Sequence, residues 1–373
     1  WLLLVPDDPA ARSVAAQVEE ALGAHGARVT RLGLPAGADR AAVAQALDGA
    51  GVPAGVLALS GLLDGTHPGH DAVPSALAAT LAVVQALGDV DWPAPLWVLT
   101  RGAVAAEPAD PVTAPEQAMV WGLGATARQE HPERWGGVID LPPDLATRAL
   151  TRLVAVVSGA TGEDEVAIRA SAALTRRLVP APLEERTGSW KPTGTVLVTG
   201  GTGVLGGHVA RHLAALGAPH LLLTGRRGQD APGARELVDE LTALGARVTV
   251  AACDLGDRTA LAELLASVPA EDPLTAVVHT AAAVDDALLT SLTAEQLQRS
   301  LRVKARAARH LDELTRHLPL GAFVLFSSFA GVTADAGQGG YAPGNAYLDA
   351  LALRRRALGL PASRIRVTVP PVG

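Results

Sequence analysis

Several residue classes that mark particular kinds of protein are scarce in this sequence. Its 373 residues include one cysteine and only 3% aromatic residues. The single cysteine, Cys253, cannot form a disulfide within the chain, which fits a reducing compartment, so we expect a cytoplasmic protein. No apolar run reaches the roughly 18 residues of a membrane span, and no signal-peptide pattern opens the chain. The formal net charge is −7, which disfavours nucleic acid and anionic membranes as partners.

Small and aliphatic residues make up much of what is present. Hydrophobic residues account for 49% of the chain, accompanied by 39 glycines and 26 prolines. This composition suits many short strands and helices joined by tight loops, and the length favours two domains or one large one. A strand is predicted at the first residues, and the sequence stops directly after its last predicted strand. We therefore expect it to be a piece of a longer polypeptide.

The second half of the sequence alternates short apolar runs with helical patterns. Strands are predicted at 195–198, 221–223, 248–251, 276–278 and 323–326, and helices at 208–216, 234–244, 260–265 and 301–314. This alternation, with strands that are continuously apolar, is typical of a parallel sheet covered by helices on both faces.

The first half repeats this rhythm more weakly. Strands are predicted at 2–5, 28–32, 55–59, 96–99 and 137–139, with helices between them such as 11–24 and 75–87. Its first strand-to-helix turn has no glycine and places Asp7 and Asp8 where a pyrophosphate would need hydrogen-bond donors. The polar stretch 184–194 is the predicted linker. We therefore predict a structural domain over 1–188, with a nucleotide-binding fold but no nucleotide, and a cofactor-binding domain over 189–373.

A glycine-rich turn carries the main binding signal of the second half. It consists of Gly200, Gly201, Thr202, Gly203, Val204, Leu205 and Gly206. The turn follows a strand, opens a helix and matches the dinucleotide fingerprint, in which glycines let backbone N–H groups approach a pyrophosphate at the positive end of the helix. A tight turn without a ligand is the alternative. With this motif, the prediction is an α/β fold with two Rossmann-like subdomains built on doubly wound parallel sheets, the first of them degenerate.

The end of the next strand indicates which dinucleotide binds. An NAD site usually has a carboxylate there for the ribose 2′-hydroxyl, whereas this chain has Arg226 and Arg227. Two guanidinium groups suit a 2′-phosphate, so NADPH is the predicted cofactor, and a solvated basic loop is the alternative. Further contacts are predicted from residues that follow two later strands, where such sheets bind ligands. They are Asp254 for the adenine, Leu255 beside it as a further cofactor contact, and His279, Thr280, Ala281 and Ala282 for the nicotinamide half.

Four residues near the end of the chain form a candidate catalytic set: Tyr341, Ser328, Lys304 and Asn345. A lone tyrosine phenol is a poor acid at neutral pH, and a nearby lysine cation makes it a better proton donor by stabilising the phenolate. A serine hydroxyl at the end of an apolar strand would polarise a substrate carbonyl. Tyr341 and Asn345 are four residues apart and share a helical face. Each of these residues alone is more often structural than catalytic, so the prediction depends on the whole set.

Two segments, Thr199–Gly206 and Tyr341–Ala350, closely resemble ketoreductase domains of modular polyketide synthases, relatives of the short-chain dehydrogenase/reductases. Ordinary members of that superfamily have lysine four residues after the tyrosine. Here Asn345 stands in that place and the lysine lies upstream at 304, an exchange characteristic of the polyketide branch. The resemblance covers almost the whole chain and implies a structural subdomain in the first half and a catalytic subdomain in the second.

The resemblance also implies a reaction and partners. Hydride would pass from NADPH to the β-keto group of an acyl chain held as a thioester on an acyl carrier protein, within a module that contains other synthase domains. Tyr341 would donate the proton, Ser328 would bind the carbonyl oxygen, and Lys304 with Asn345 would support the tyrosine.

The stereochemical type follows from a second motif of the same family. Val284, Asp285 and Asp286 stand where the B type has Leu-Asp-Asp, whereas the tryptophan of the A type is replaced by Thr333. A B-type product, a D-configured β-hydroxyl, is therefore predicted. An ordinary solvated loop is the alternative for the two aspartates.

The end of the sequence departs from the family pattern. The family continues past its last strand into a tryptophan-containing turn and a lid, whereas Arg366 to Gly373 stand here in place of the turn. Because a lid excludes water and closes over the substrate, its absence predicts weaker cofactor binding, slower turnover and lower specificity. His208, His212 and His220 are predicted to lie on helix surfaces. No His/Cys/Asp cluster has the spacing of a metal site.

Two alternative functions remain open from the sequence. One is a non-reducing scaffold or carrier-protein-docking domain that keeps the fold. The other is a nucleotide-sugar epimerase or dehydratase of the extended superfamily, although that group usually has lysine four residues after the tyrosine, where this chain has Asn345.

Overall fold

The computed structural model describes residues 1–180 and 190–367, which form two compact units. The first unit takes Trp1–Arg177, Val284–Leu301 and Phe329–Arg354, and the second takes the described residues of Leu178–Ala283, Arg302–Ser328 and Arg355–Gly373. Two segments from the second half of the sequence, which carry Asp285 and Tyr341, thus belong to the first unit. The predicted boundary at 188 and the linker up to residue 189 lie outside the described residues. The division into 1–188 and 189–373 stays a prediction.

The first part of the chain forms a seven-stranded sheet. The strands in this part of the chain are β1 (Leu2–Pro6), β2 (Thr30–Leu34), β3 (Val56–Ala58), β4 (Thr66–His67), β5 (His70–Pro74), β6 (Leu96–Arg101), β7 (Trp135–Leu141), β8 (Glu165–Ile168) and β9 (Ala173–Thr175). The helices are α1 (Pro9–Ala24), α2 (Arg40–Leu47), α3 (Ser75–Asp89), α4 (Ala118–Glu130) and α5 (Thr147–Val157). The order is β2-β1-β3-β6-β7-β8-β9, with β4 and β5 in a separate hairpin. All pairs of the large sheet are parallel except β8 with β9, and the strand order reverses between β1 and β3, as in a doubly wound sheet.

Apolar side chains of this sheet are buried beneath α1 and α5. Leu3, Leu57 and Leu99 from three adjacent strands are fully buried and pack in one cluster with Val18 of α1 and Val156 of α5. Burying a side chain of this size stabilises the fold by about 1.5–3 kcal/mol.

The rest of the chain builds a six-stranded sheet. Its strands are β10 (Thr195–Thr199), β11 (His220–Gly225), β12 (Arg247–Ala252), β13 (Leu274–His279), β14 (Ala322–Ser328) and β15 (Ser363–Val367). The helices are α6 (Val204–Ala215), α7 (Ala234–Ala243), α8 (Arg258–Ala266), α9 (Ala294–Leu301), α10 (Ala307–Thr315) and α11 (Ala342–Ala357). The order β12-β11-β10-β13-β14-β15 is parallel throughout. This is the strand order of dinucleotide-binding Rossmann folds and confirms the predicted fold class.

Three local predictions were wrong. The helix expected at 208–216 begins at Val204, and Leu216 lies outside it with 41% of its surface exposed. His220 is not on a helix surface: it starts β11, is 4% exposed and contacts the hydroxyls of Thr195 and Thr249. The helix expected at 301–314 is interrupted by a π-helical turn over Arg302–Arg306, between α9 and α10. His208 and His212 do lie exposed on α6, as predicted.

Among the residues that the structure describes, no helix combines the length and the apolar character needed to cross a bilayer.

Candidate active site

A cavity of about 730 Å³ in the second unit gathers most of the predicted cofactor-binding residues. It lies at the carboxyl ends of β10, β11, β12 and β13, the edge where such sheets bind ligands. The predicted residues that line it are Gly200, Thr202, Gly203, Val204, Leu205, Gly206, Arg226, Arg227, Asp254, Leu255, Thr280, Ala281 and Ala282. Cys253, Gly256 and Val303 also line the cavity, and the sequence motifs did not point to them.

The glycines of the turn are required by close backbone approaches. Gly200 has φ +68°, and a Cβ there would lie 2.9 Å from the Cα of Ala281. A Cβ on Gly206 would lie 2.1 Å from the carbonyl oxygen of Gly200. Gly201 does not line the cavity: its missing Cβ makes room for Leu223 of β11 instead. The glycines therefore serve both the closure of the turn and the packing of α6 on the sheet.

The amino end of α6 is open to a ligand. Its N-cap is Gly203, and no side chain caps the helix, unlike the aspartate cap of α1. The side chain of Val204 in the first turn is 84% exposed. Backbone N–H groups at an uncapped helix end attract an anion, so the residues present fit the pyrophosphate of a dinucleotide.

Two exposed arginines follow β11 at the same cavity. Arg226 and Arg227 form no salt bridge with any residue in 1–180 or 190–367. Asp254 faces them, but its carboxylate accepts hydrogen bonds from Arg302 Nη2 at 2.9 Å and from the Gly256 N–H at 2.9 Å. Burial acts to raise the pKa of Asp254, yet these two hydrogen bonds, together with the positive charges of Arg302 and Arg226, outweigh it and hold the pKa below its usual value. The two guanidinium groups are thus available to an added anion.

His279 lies behind the cavity and does not line it. The ring is 1% exposed, with Nδ1 at 2.7 Å from the Thr199 hydroxyl and Nε2 at 2.9 Å from the Lys304 carbonyl oxygen. Because a carbonyl only accepts, Nε2 carries the hydrogen and Nδ1 accepts from Thr199. Burial lowers the pKa of His279 to about 4, so the ring is neutral at physiological pH. His279 therefore links β10 to the turn that carries Lys304, and its expected place at the nicotinamide half stays a prediction.

Two of the four catalytic candidates belong to the second unit. Lys304 sits in the π-helical turn, is 3% exposed and donates from Nζ to the Phe326 carbonyl at 3.2 Å. Ser328 ends β14, and its hydroxyl donates to the Val367 carbonyl at 3.0 Å. Both side chains thus contact the carboxyl half of β14 or the strand beside it. A π-helical turn frequently marks a functional position.

The other two candidates belong to the first unit. Tyr341 is partly exposed directly before α11, and Asn345 is fully buried in its first turn. The Asn345 side chain donates from Nδ2 to the Tyr341 backbone carbonyl at 2.9 Å, so it fixes the main chain of the tyrosine. Gly122 of α4 allows this start of α11 to approach, because a Cβ on Gly122 would lie 2.7 Å from Pro343 Cα.

The predicted stereocontrol residues also belong to the first unit. Val284 and Asp286 are exposed. The Asp285 carboxylate accepts from Arg299 Nε at 2.5 Å and from Gln296 Nε2 at 3.1 Å, both on α9. These hydrogen bonds, chiefly the one from Arg299, lower the pKa of Asp285. The Asp285 carbonyl lies against Gly340, where a Cβ would be 2.7 Å from it, so this loop runs beside the residue preceding Tyr341.

The strand order, the glycine turn and the cavity are those of a dinucleotide-binding Rossmann domain. A family model described as the KR domain matches residues 194–370, and one described as the Rossmann fold domain of polyketide synthase extender module SpnB matches residues 4–178. Polyketide synthase GfsA of Streptomyces halstedii is 51% identical over 97% of this chain. A solved structure described as A-type ketoreductases from a modular polyketide synthase is 50% identical, with a TM-score of 0.92 over 98% of this chain and 78% of that one. A C2-type ketoreductase from a modular polyketide synthase is 47% identical, with a TM-score of 0.90 over 98% of this chain and 80% of that one.

The chain belongs to the ketoreductase domains of modular polyketide synthases, which are oxidoreductases that use a nicotinamide cofactor. The predicted resemblance is confirmed, and the membership favours a ketoreductase over a nucleotide-sugar epimerase. The chain spans 5% of the length of the GfsA synthase and 22% of another relative, pikromycin synthase component PikAIII of Streptomyces venezuelae. Homologous sequences are thus parts of proteins with further synthase domains.

Proposed function

We propose that this chain reduces the β-keto group of a polyketide thioester to a β-hydroxyl, with NADPH as the cofactor and an acyl carrier protein as the carrier of the substrate. The observation that carries this proposal is the cavity lined by the glycine turn together with Arg226 and Arg227. An uncapped helix end suits a pyrophosphate, and two arginines without salt-bridge partners in the described parts of the chain suit a 2′-phosphate. NADH has no group that would use those arginines.

NADPH would supply the hydride, and protein side chains would stabilise the negative charge that develops on the substrate oxygen. We assign proton donation to the Tyr341 hydroxyl and binding of the carbonyl oxygen to the Ser328 hydroxyl. Lys304 would stabilise the phenolate that forms when Tyr341 gives up its proton. Asn345 would act through the main chain, because its amide holds the Tyr341 carbonyl.

A B-type product with a D-configured hydroxyl is part of the proposal. Support comes from the Asp285–Asp286 pair. The loop that carries this pair lies beside Gly340, the residue that directly precedes Tyr341. Whole-chain similarity does not assign the type, since the similar solved structures are described as A-type and C2-type. Reduction of a racemic 2-methyl-3-oxo diketide thioester, followed by chiral chromatography, tests it: a D-alcohol is expected, and an L-alcohol would refute the B-type assignment.

The partners follow from the same assignment. An acyl carrier protein would present the thioester, and other domains of a synthase module would supply and remove the chain in the cytoplasm. The length of the relatives is consistent with such neighbours, because this chain corresponds to only a small part of each.

The central experiment measures cofactor binding and turnover separately. We expect NADPH fluorescence titration to show binding, and reduction of the diketide thioester to consume NADPH. Tyr341→Phe should lower kcat by about 100- to 10,000-fold, the usual contribution of a general acid, with NADPH affinity unchanged. NADPH binding without any turnover in the unmodified chain would favour the alternative of a non-reducing docking domain, and no binding would refute the cofactor site.

A further inference from the structure

Glu130 joins two loops that are far apart in the sequence. It ends α4, and each oxygen of its carboxylate accepts a different backbone N–H. Oε2 accepts from Leu289 at 2.7 Å, and Oε1 accepts from Gly337 at 2.8 Å. Leu289 follows the Asp285–Asp286 pair, and Gly337 precedes Tyr341. One side chain from the first half of the sequence therefore holds the two loops on which the stereochemistry and the proton donor are proposed to depend.

The two loops lie directly against each other at this point. Ala287 and Gln338 form a parallel backbone bridge. A Cβ on Gly339 would lie 2.5 Å from Leu289 Cδ2, so only glycine lets the loops approach this closely. Leu289 itself is fully buried. A small shift of one loop must therefore be transmitted to the other, because packed elements have little free space between them.

Gln85 of α3 completes the hold on Leu289. Its side-chain amide donates to the carbonyl oxygens of Leu289 at 2.7 Å and Leu292 at 2.9 Å. The N–H of Leu289 thus goes to Glu130 and its C=O goes to Gln85. Two neighbouring helices of the first half provide an acceptor and a donor matched to the backbone of one buried loop residue.

We propose that Glu130 is a positioning residue for catalysis, which sets the register between the Asp285–Asp286 loop and Tyr341. This inference rests on the proposed reductase function. A carboxylate suits the task because both of its oxygens accept hydrogen bonds, whereas a glutamine amide has one acceptor oxygen and an NH₂ group that only donates. Glu130→Gln keeps the size of the side chain and can satisfy only one of the two loops. Glu130→Ala releases both.

The expected effect is on the chemical step and on stereocontrol. A displacement of about 1 Å at a reacting group costs up to about 100-fold in rate, so kcat should fall by about 10- to 100-fold in Glu130→Ala and less in Glu130→Gln. The minor alcohol stereoisomer should increase in both. NADPH affinity should stay within about 2-fold, because every residue that lines the cofactor cavity belongs to the second unit. Glu133→Gln is the matched control, since Glu133 lies on the same stretch of chain and its side chain is 61% exposed.

Hydrogen exchange of the Leu289 and Gly337 amides tests the two contacts without any turnover. Glu130→Gln should speed exchange at one of these amides, Glu130→Ala at both, and Glu133→Gln at neither. Unchanged kcat and stereoisomer ratio in Glu130→Ala would overturn the proposal, and so would a loss of NADPH affinity that matches the loss of rate. If the unmodified chain does not reduce the thioester, the reductase function fails, and the exchange data still decide whether Glu130 holds the loops.

Discussion

The first strand-to-helix turns of the two sheets differ in what lies at the amino end of the following helix. Between β1 and α1 the turn is Asp7-Asp8, and the Asp8 carboxylate accepts the Ala11 N–H at 2.8 Å. Asp7 is paired with Arg12. The amino end of α1 is thus capped by a side chain of the turn itself. Between β10 and α6 the turn is glycine-rich, and the helix end has no capping side chain.

From this contrast we infer that a few turn residues decide whether the amino end of the helix can accept an anion. Both turns follow a parallel strand at the point where the strand order of the sheet reverses. A carboxylate at a helix amino end occupies the position that an anion would take, and it repels a second anion. Glycine leaves the position empty and lets the backbone approach. The two sheets therefore share an architecture, but only the turn of the second leaves the helix end uncapped by a side chain.

Filling the glycine cradle should have the largest effect. A Cβ on Gly206 would lie 2.1 Å from the Gly200 carbonyl oxygen, so Gly206→Ala forces the turn apart. Overpacking of this kind costs about 3 kcal/mol, and we expect NADPH affinity to fall by about 100-fold or more. Gly207→Ala is the control, because its new Cβ would meet the flexible end of Arg211 at 3.2 Å and would lie at ordinary van der Waals distance, 3.8 Å, from Leu237. Fluorescence titration measures both variants, with circular dichroism to verify folding. Equal losses in the two would show that the turn is not the cradle.

The arginines that follow β11 should come next in size. A charge-assisted hydrogen bond contributes about 1.5–3 kcal/mol, so Arg226→Ala or Arg227→Ala should weaken NADPH binding by about 10- to 100-fold. NADH affinity should hardly change, because NADH has no 2′-phosphate, and this makes NADH the internal control. Titration of each variant with both dinucleotides gives the ratio directly. A parallel loss for NADPH and NADH would assign the arginines to the fold of the turn and not to cofactor choice.

The sequence predicts well those features whose residues are close together in the chain. The cradle was predicted because strand, glycines and helix are contiguous, so one short motif contains the whole structure. The helix-surface prediction for His220 was wrong, and the hydrogen bonds of buried His279 were not predicted, because partners such as Thr249 and Lys304 are distant in sequence. Glu130 was also missed because its partners, Leu289 and Gly337, are distant in sequence. A single glutamate at a helix end forms no recognisable motif.

The grouping of segments into units was also beyond sequence reasoning. Residues 284–301 and 329–354 follow strands of the second sheet in the chain, yet they pack with the first unit. Gly122 and Gly340 lie where another segment of the backbone comes very close. A single glycine in the sequence does not show which segment that is. The π-helical turn at Lys304 could not be predicted from hydrophobic periodicity, because this single turn lies within an otherwise regular helical pattern.

The buried histidine should make the second unit sensitive to acid. The pKa of His279 is about 4 in the fold against an ordinary value of 6.5, so the unfolded chain binds a proton that the folded chain excludes. Stability is therefore fully present above pH 6.5 and is lost as the pH falls towards 4. Linkage gives a loss of about 2 kcal/mol between pH 7.5 and pH 5 from this group. Urea unfolding at both pH values should show a dependence shallower by that amount in His279→Asn, and an unchanged dependence would contradict the buried neutral ring.

Removing the carboxylate cap of the first turn should have the smallest effect, and only on stability. Asp8→Ala deletes the acceptor of the Ala11 N–H, which typically costs about 0.5–2 kcal/mol of unfolding free energy. Asp8→Asn keeps an acceptor oxygen and should cost less. Neither change should alter NADPH affinity, because the cofactor cavity is lined by second-unit residues alone. Urea unfolding and NADPH titration of the two variants measure both expectations. A gain of nucleotide binding in Asp8→Ala would show that one carboxylate is enough to keep the first sheet empty, which would narrow the difference between the two turns to a single side chain.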